Sequence, residues 1–280
     1  MDSPTLALLD IDGTLLDPSY GSNDTSLKEF IGMQRQAGLT CGLNSNRALH
    51  DLLPIAVQFG IQGPIVGENG LFVYYPETKR TVFLMEQPEL EALKRVKHDM
   101  ERCLQDTLAS FFPEKQVVWQ DVDTVQAVQQ PASDYPEGTI VVLNNKYRSW
   151  TISAHVKVCQ DGRLVAFPEA LPRVVQTLQE SEVAKNVTVA SSPDFANVLV
   201  YSTSSSKRAA VEYLLEHDYS QHRLLVIGDE QSDVNMAKGI GEFMTTANSP
   251  DAIKAQASAV ASEPYAKGVH ELLKRSLSTA

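Results

Sequence analysis

Cysteine is scarce in this 280-residue chain: there are three, Cys41, Cys103 and Cys159, widely spaced and in no CxxC pair. That pattern argues against a disulfide scaffold and against a thiolate zinc site, and it predicts buried thiols in a reducing compartment. Basic residues are also short, 24 Lys and Arg against 35 Asp and Glu, for a formal net charge of -11. A phosphate backbone or an anionic bilayer would be repelled on average, so neither nucleic acid nor membrane is an expected partner. No apolar run approaches the roughly 20 residues of a membrane span. No basic stretch precedes the first apolar segment, so no signal peptide is expected and the expected location is the cytoplasm. Internal repeats, low-complexity tracts and flexible linkers are missing too.

What is present looks like an ordinary soluble enzyme, with 43% hydrophobic and 21% charged residues. At about 150 residues per domain the length suggests two domains. The chain opens with a rhythm of short apolar runs and helical stretches. A run at 6–9 ends abruptly at Asp10. A helix capped by Asn23 or Asp24 is expected to about residue 37, with Gly38 as its stop. A strand at 39–43, a helix at 48–59 closed by Gly60, and a short strand at 64–66 follow. The rhythm resumes after Ser206: a helix at 207–216, a strand at 224–227, a helix from 233, a strand at 243–245, and helices from 250 and 268. Alternation of this kind predicts a parallel sheet with right-handed crossovers.

The middle differs. A long helix at 88–110 precedes strands near 117–119, 125–128, 139–143, 151–158 and 164–167. The last two flank an Asp161-Gly162 turn and predict an antiparallel hairpin. A helix at 171–180 and strands near 187–189 and 198–201 complete the segment. The predicted architecture is therefore α/β: a doubly wound, Rossmann-like parallel-sheet core of 1–83 and 190–280, with an α+β module of 84–189 inserted into it.

Two motifs carry chemistry. The first is Asp10-Ile-Asp12-Gly13-Thr14, directly after an apolar strand. Ligands of open α/β sheets bind beyond the strand ends, and two carboxylates two residues apart can both reach that crevice while Gly13 permits the turn. Close carboxylates repel, so they call for a cation or a shared proton. One arrangement of this kind uses one carboxylate as nucleophile and the other as acid and base. An Asx-rich capping turn needs neither the pair nor the glycine. The second motif is Gly228-Asp229-Glu230-Gln231-Ser232-Asp233, again after an apolar strand. Carboxylate oxygens without softer donors suit Mg²⁺.

Four segments in this order resemble the haloacid dehalogenase superfamily of phosphotransferases over nearly the whole chain. Asp10 and Asp12 match its first motif, Ser45 in Leu43-Asn44-Ser45-Asn46-Arg47 the second, Lys207 the third, and Asp229 with Asp233 the acidic fourth. Gly67-Glu68-Asn69-Gly70 and Ala247-Asn248-Ser249-Pro250 are similar to the subgroup with a large C2-type cap, subfamily IIB, which includes sucrose-phosphate, mannosyl-phosphoglycerate and Cof-type phosphatases. A lone serine is more often a turn residue and a lone lysine at a helix start more often solvated. Ser45 and Lys207 gain meaning from the ordered set.

The resemblance implies a Mg²⁺-dependent phosphomonoester hydrolase acting on a small soluble phosphometabolite, either a sugar phosphate or a phosphorylated organic acid. Asp10 would be the nucleophile that forms an aspartyl-phosphate, and Asp12 the acid and base. Mg²⁺ would be held by the Asp10 carboxylate, the Asp12 backbone carbonyl and Asp229. Ser45, Asn46 and Lys207 would bind the phosphoryl group, with Asp233 and Asn248 behind them. Arg47 and Asn69, on the second and third loops, would face the substrate. The cap would close over the leaving group, with Lys146, Arg148, Trp150 and His155 as candidate contacts, each more often an ordinary surface or hairpin residue. Two positions depart from the family pattern: Ser232 stands where an asparagine is common, and Asn46 where a glycine is usual. A phosphomutase of the same chemistry and a non-catalytic ligand-binding protein of this fold remain as alternatives.

Overall fold

The apolar run after Pro4 forms β1 (Thr5–Leu9), whose five residues are all buried. Such a strand has no solvent face, as expected at the centre of a parallel sheet covered on both sides. It comes from a computed structural model that describes residues 3–123, 135–192 and 196–278. The chain continues through α1 (Leu27–Gln34), β2 (Leu39–Asn44), α2 (Leu49–Phe59), β3 (Ile65–Gly67), β4 (Phe72–Tyr75) and β5 (Arg80–Phe83). Then come α3 (Gln87–Phe111), β6 (Val117–Val122), β7 (Ile140–Asn145), β8 (Ile152–Gln160), β9 (Arg163–Ala166), α4 (Leu171–Glu180), β10 (Val187–Ser192) and β11 (Asn197–Ser202). The last part holds α5 (Lys207–His217), β12 (Arg223–Ile227), α6 (Gln231–Ala237), β13 (Glu242–Thr245), α7 (Asp251–Lys254), β14 (Ala259–Val260) and α8 (Tyr265–Ser278).

The chain folds as two units, Met1–Leu84 with Ser205–Ala280, and Met85–Ser204. In the first, eight strands are ordered β14-β13-β12-β1-β2-β3-β4-β5. The run from β14 to β3 is parallel, and β4 and β5 add on antiparallel. Alternate residues of β1 point to opposite faces. Ala7 and Leu9 join a core with Leu27, Phe30, Leu52, Phe59 and Leu272, from α1, α2 and α8. Leu6 and Leu8 join another with Val211, Leu214, Val234 and Met236, from α5 and α6. Helices on both faces of one sheet make this the expected doubly wound α/β architecture.

The second unit is built on the path β10-β11-β8-β7-β6, with β9 on the edge of β8. Its pairings are antiparallel except β6 with β7. The capping box of Glu86 and Glu89 starts α3. Its Leu90, Leu93, Met100, Leu104 and Leu108 form a buried stripe. No helix among the described residues is long and apolar enough to cross a membrane.

Several expectations are corrected. The second domain boundary, expected at 189–190, falls inside β10 and lies instead at 204–205. The reason is the ladder: β10 pairs with β11, and β11 with β8, so these strands complete the second unit's sheet. Helix α1 starts at Leu27, because the Asp24 carboxylate turns back to accept from the Ser26 N–H at 2.6 Å. Helix α6 starts at Gln231, where Glu230 and Asp233 form a capping box, and α8 starts at Tyr265, upstream of Gly268. The β4–β5 hairpin was not expected at all. The strand expected at 125–128 lies outside the described residues.

Leu8 is fully buried beneath α5 and α6. Truncation to alanine leaves a cavity at the centre of the sheet, so Leu8→Ala should destabilise the protein by about 2–5 kcal/mol. The check is a lowered urea midpoint; an unchanged midpoint would contradict this packing.

Candidate active site

The sequence-singled residues of the first unit lie beyond the carboxyl ends of its parallel strands. Asp10 follows β1, Ser45 follows β2, the Gly67–Gly70 turn follows β3, and Asp229 follows β12. The Asp10 N–H donates to the Ile227 carbonyl at 2.9 Å, which seats the end of β1 against β12. Lys207 is the first residue of α5. Its helix start is fixed by Ser206, whose hydroxyl accepts from the Ala209 N–H at 3.0 Å.

The side chains converge. The buried Lys207 ammonium donates to Asp10 Oδ1 at 2.6 Å and to Asp233 Oδ1 at 2.8 Å. The other oxygen of Asp233 accepts from the N–H groups of Asp229 and Glu230, at 3.2 and 3.1 Å. Asp229 Oδ1 accepts from the Thr14 hydroxyl at 2.7 Å. Asp10, Asp229 and Asp233 each bring a carboxylate oxygen within 4.8 Å of the others. Two glycines permit this crowding. Gly13 has φ +81°, and a Cβ there would lie 2.2 Å from Asp229 Oδ2. Gly70 has φ +83°, and a Cβ there would lie 2.0 Å from the Ser206 carbonyl oxygen at the start of α5.

Burial pushes the Asp10 carboxyl well above its ordinary range, and the charges of Asp233 and Asp229 add to this against the pull of Lys207. Asp229 is pushed up to about 7, mainly by burial, with Asp233 and Glu230 adding and Thr14 opposing. Burial would lower the Lys207 ammonium, but Asp10 and Asp233 outweigh it and keep it protonated. Three carboxylates against one ammonium leave a formal charge of −2 when all are ionised. Lys207 and Thr14 occupy one oxygen each of Asp10 and Asp229, which leaves Oδ2 of both for another ligand. Hard oxygen donors with a residual double negative charge fit Mg²⁺.

Asp12 stands apart from this cluster. Arg47 grips it with both nitrogens of its fork, Nε at 2.8 Å from Oδ2 and the terminal nitrogen on Oδ1. The guanidinium is itself buried and lies over the Tyr20 ring, 5.2 Å from its centroid. Arg47 thus holds Asp12 in this structure. The loop carrying it is knitted to the next one: Glu68 N–H donates to the Arg47 carbonyl at 3.0 Å and Asn69 N–H to the Ser45 carbonyl at 3.4 Å. Asn69 is left-handed, φ +60°, between Glu68 and Gly70 of the same hand. Ser45 is buried, and its Oγ accepts from the Arg47 N–H at 3.3 Å. Asn46 is half-buried and does not take a positive φ, so no glycine is needed there. The Ser232 hydroxyl is buried without a hydrogen-bond partner among the described residues. Asn248 donates to the Gly13 carbonyl at 2.7 Å and accepts from Thr246 and the Tyr265 N–H, tying the turn of the first motif to the start of α8.

The four cap candidates lie in the second unit. Lys146 pairs with Asp123, Trp150 lies under Lys94, Arg148 is buried and donates to Thr151 at 3.0 Å, and His155 is buried within β8. Residue-by-residue reading of the sequence passed over Thr14, Asn44 and Tyr20. Thr14 stood inside the first motif and was legible there; nothing in the sequence marks the other two.

The chain is similar to known proteins over nearly its full length. A family model described as haloacid dehalogenase-like hydrolase matches residues 7–273. A phosphoglycolate phosphatase of Sulfolobus acidocaldarius is 23% identical over 275 residues, 96% of this chain and 95% of that one. Among solved structures, a haloacid dehalogenase-like hydrolase from Bacteroides thetaiotaomicron superposes with a TM-score of 0.67 at 17% identity, covering 97% of this chain and 99% of the other. The sucrose-phosphatase of Synechocystis, solved with sucrose and phosphate, gives 0.57 at 18% identity over 98% of each chain. The strand-end carboxylates and a family match over nearly the full length lead to one conclusion: the chain belongs to the haloacid dehalogenase-like hydrolases.

Proposed function

We propose that this protein is a Mg²⁺-dependent phosphatase that hydrolyses a small soluble phosphomonoester through an aspartyl-phosphate on Asp10. The observation that carries the proposal is the Lys207 ammonium held between Asp10 and Asp233, with Asp229 alongside at the strand ends. A nucleophilic carboxylate and a fixed cation in contact are what phosphoryl transfer asks of a protein, because that reaction depends on positioning and charge stabilisation.

Asp10 attacks phosphorus with a carboxylate oxygen, and the bond from phosphorus to the leaving alkoxide breaks as the acyl phosphate forms. Lys207 and the Ser45 hydroxyl bind the equatorial oxygens, where charge gathers in the transition state. Asp12 protonates the leaving alkoxide and then takes the proton of the water that cleaves the acyl phosphate. Arg47 sets the direction of the Asp12 carboxylate and must let go of one oxygen when that oxygen carries a proton. Asp233 places Lys207 and, through its two backbone hydrogen bonds, the turn bearing Asp229. Asp10, Asp229 and the Asp12 carbonyl would hold Mg²⁺, which supplies charge neutralisation between the anionic nucleophile and the anionic phosphate.

For the substrate we propose a sugar phosphate or a phosphorylated organic acid. The relative named phosphoglycolate phosphatase makes 2-phosphoglycolate the first compound to test.

Phosphate release from a panel of sugar phosphates, 2-phosphoglycolate and an aryl phosphate should stop with chelator, and should fall by roughly 10³-fold or more in Asp10→Asn. Undiminished turnover by Asp10→Asn, free of deamidation and contaminants, would overturn the aspartyl-phosphate mechanism. Magnesium should raise the melting temperature of the wild type, since it binds only the assembled cluster. Because Asp229 binds protons up to about pH 7 and metal binding displaces them, the Mg²⁺ concentration needed should rise as pH drops from 8 to 6. A Mg²⁺ affinity that stays flat across that range would contradict Asp229 as a ligand.

A further inference from the structure

Strand β2 ends in an amide that nothing in the sequence explains. Asn44 is fully buried in a strand otherwise lined by Leu39, Cys41 and Leu43. Its Nδ2 donates to the backbone carbonyl of Lys207 at 3.1 Å and lies 2.8 Å from Met236 Sδ of α6. Its Oδ1 has no hydrogen-bond partner among the described residues. A buried acceptor left unsatisfied is a standing cost, and an apolar side chain of the same shape would avoid it. What the amide supplies instead is a grip on one particular backbone group, the carbonyl of the residue whose ammonium bridges Asp10 and Asp233.

We infer that Asn44 is a positioning residue that sets the Lys207 ammonium relative to Ser45, the next residue along its own chain. The inference rests on the phosphatase proposal. The start of α5 is already bounded on one side by the cap at Ser206 and on another by the close approach of Gly70. Asn44 adds a third constraint, a hydrogen bond from the strand end that also delivers Ser45. The Lys207 stem is buried and its ammonium is held at both Asp10 and Asp233, so a shift of its backbone has to be taken up at those two contacts. A misplacement of about 1 Å is enough to cost roughly 10²-fold in rate.

Asn44→Leu keeps the volume, removes the grip and also removes the unsatisfied oxygen. Expected is a ten- to hundredfold loss of kcat with KM within threefold of wild type, and a melting temperature no more than a few degrees lower. Inhibition by orthovanadate, a mimic of the five-coordinate transition state, should weaken in step with kcat, while inhibition by inorganic phosphate stays within threefold. A purely structural role would lower the melting temperature and leave the vanadate-to-phosphate ratio alone. An unchanged kcat, or a loss matched by unfolding, would overturn the inference. Should Asn44→Leu not fold, Asn44→Ala, which only removes atoms, is read the same way. Should the wild type release phosphate from no compound on the panel, the phosphatase proposal fails by itself. Vanadate-induced stabilisation of wild type against Asn44→Leu then tests Asn44 alone: equal stabilisation would sink it.

Discussion

One buried ammonium makes the site possible. Asp10, Asp229 and Asp233 gather at the ends of β1 and β12 in a place where water solvates them poorly, and like charges at that spacing repel strongly. The Lys207 contacts to Asp10 and Asp233 offset part of that repulsion. Deleting one partner of such a buried set leaves a charge with neither water nor counterion, which is why these groups act as a unit. A single ammonium still leaves the cluster short of positive charge. Burial first, and then the neighbouring carboxylates, raise the titration of Asp10 and Asp229, and a divalent cation is the chemical complement of such a cluster.

The rest of the first unit is arranged around placing these groups. The parallel ladder brings the ends of β1, β2 and β12 side by side, so residues about 200 positions apart in sequence meet. The side chains need room, and glycine provides it: at Gly13 a Cβ would overlap the Asp229 carboxylate, and at Gly70 it would overlap the backbone before Lys207. Both glycines are left-handed, so an L side chain there would be strained as well as crowded. Asp233 serves twice, closing the α6 capping box and seating Lys207. A helix cap and an ion pair share one carboxylate, so the start of α6 and the seat of the Lys207 ammonium are tied to each other.

The Asp12–Arg47 pair has a separate logic. Asp12 carries a half-exposed side chain, and the guanidinium that fixes it is almost fully buried, stacked on Tyr20. A bidentate fork determines the carboxylate's plane as well as its place, which a lysine at that position would not do. Asp12 is thereby kept off the Asp10 cluster, so the two carboxylates of the first motif meet different surroundings two residues apart.

Much of this was legible without a structure. The continuous apolar run at 6–9, as in a strand covered on both faces, predicted β1, and the abrupt change to Asp10-Ile-Asp12-Gly13-Thr14 marked the strand end where ligands bind. The order of Asp10, Ser45, Lys207 and Asp229 pointed to the family because spacing along the chain is all that an ordered motif needs. Local chemistry was less decisive at boundaries: Asp24 bonded to Ser26 instead of capping α1, and β4–β5 joined an otherwise parallel sheet because its partner was the edge of β3. The close of the second unit was set by the pairing of β10, β11 and β8, a relation between distant strands that no local pattern carries. The tertiary structure alone decided that Arg47 holds Asp12, that Thr14 holds Asp229, and that Asn44 reaches Lys207. The sequence by itself determined which residue types stand at each strand end. Which of them touch was decided by the fold, because those contacts span up to 215 positions and depend on hydrogen-bond distances that sequence spacing does not encode.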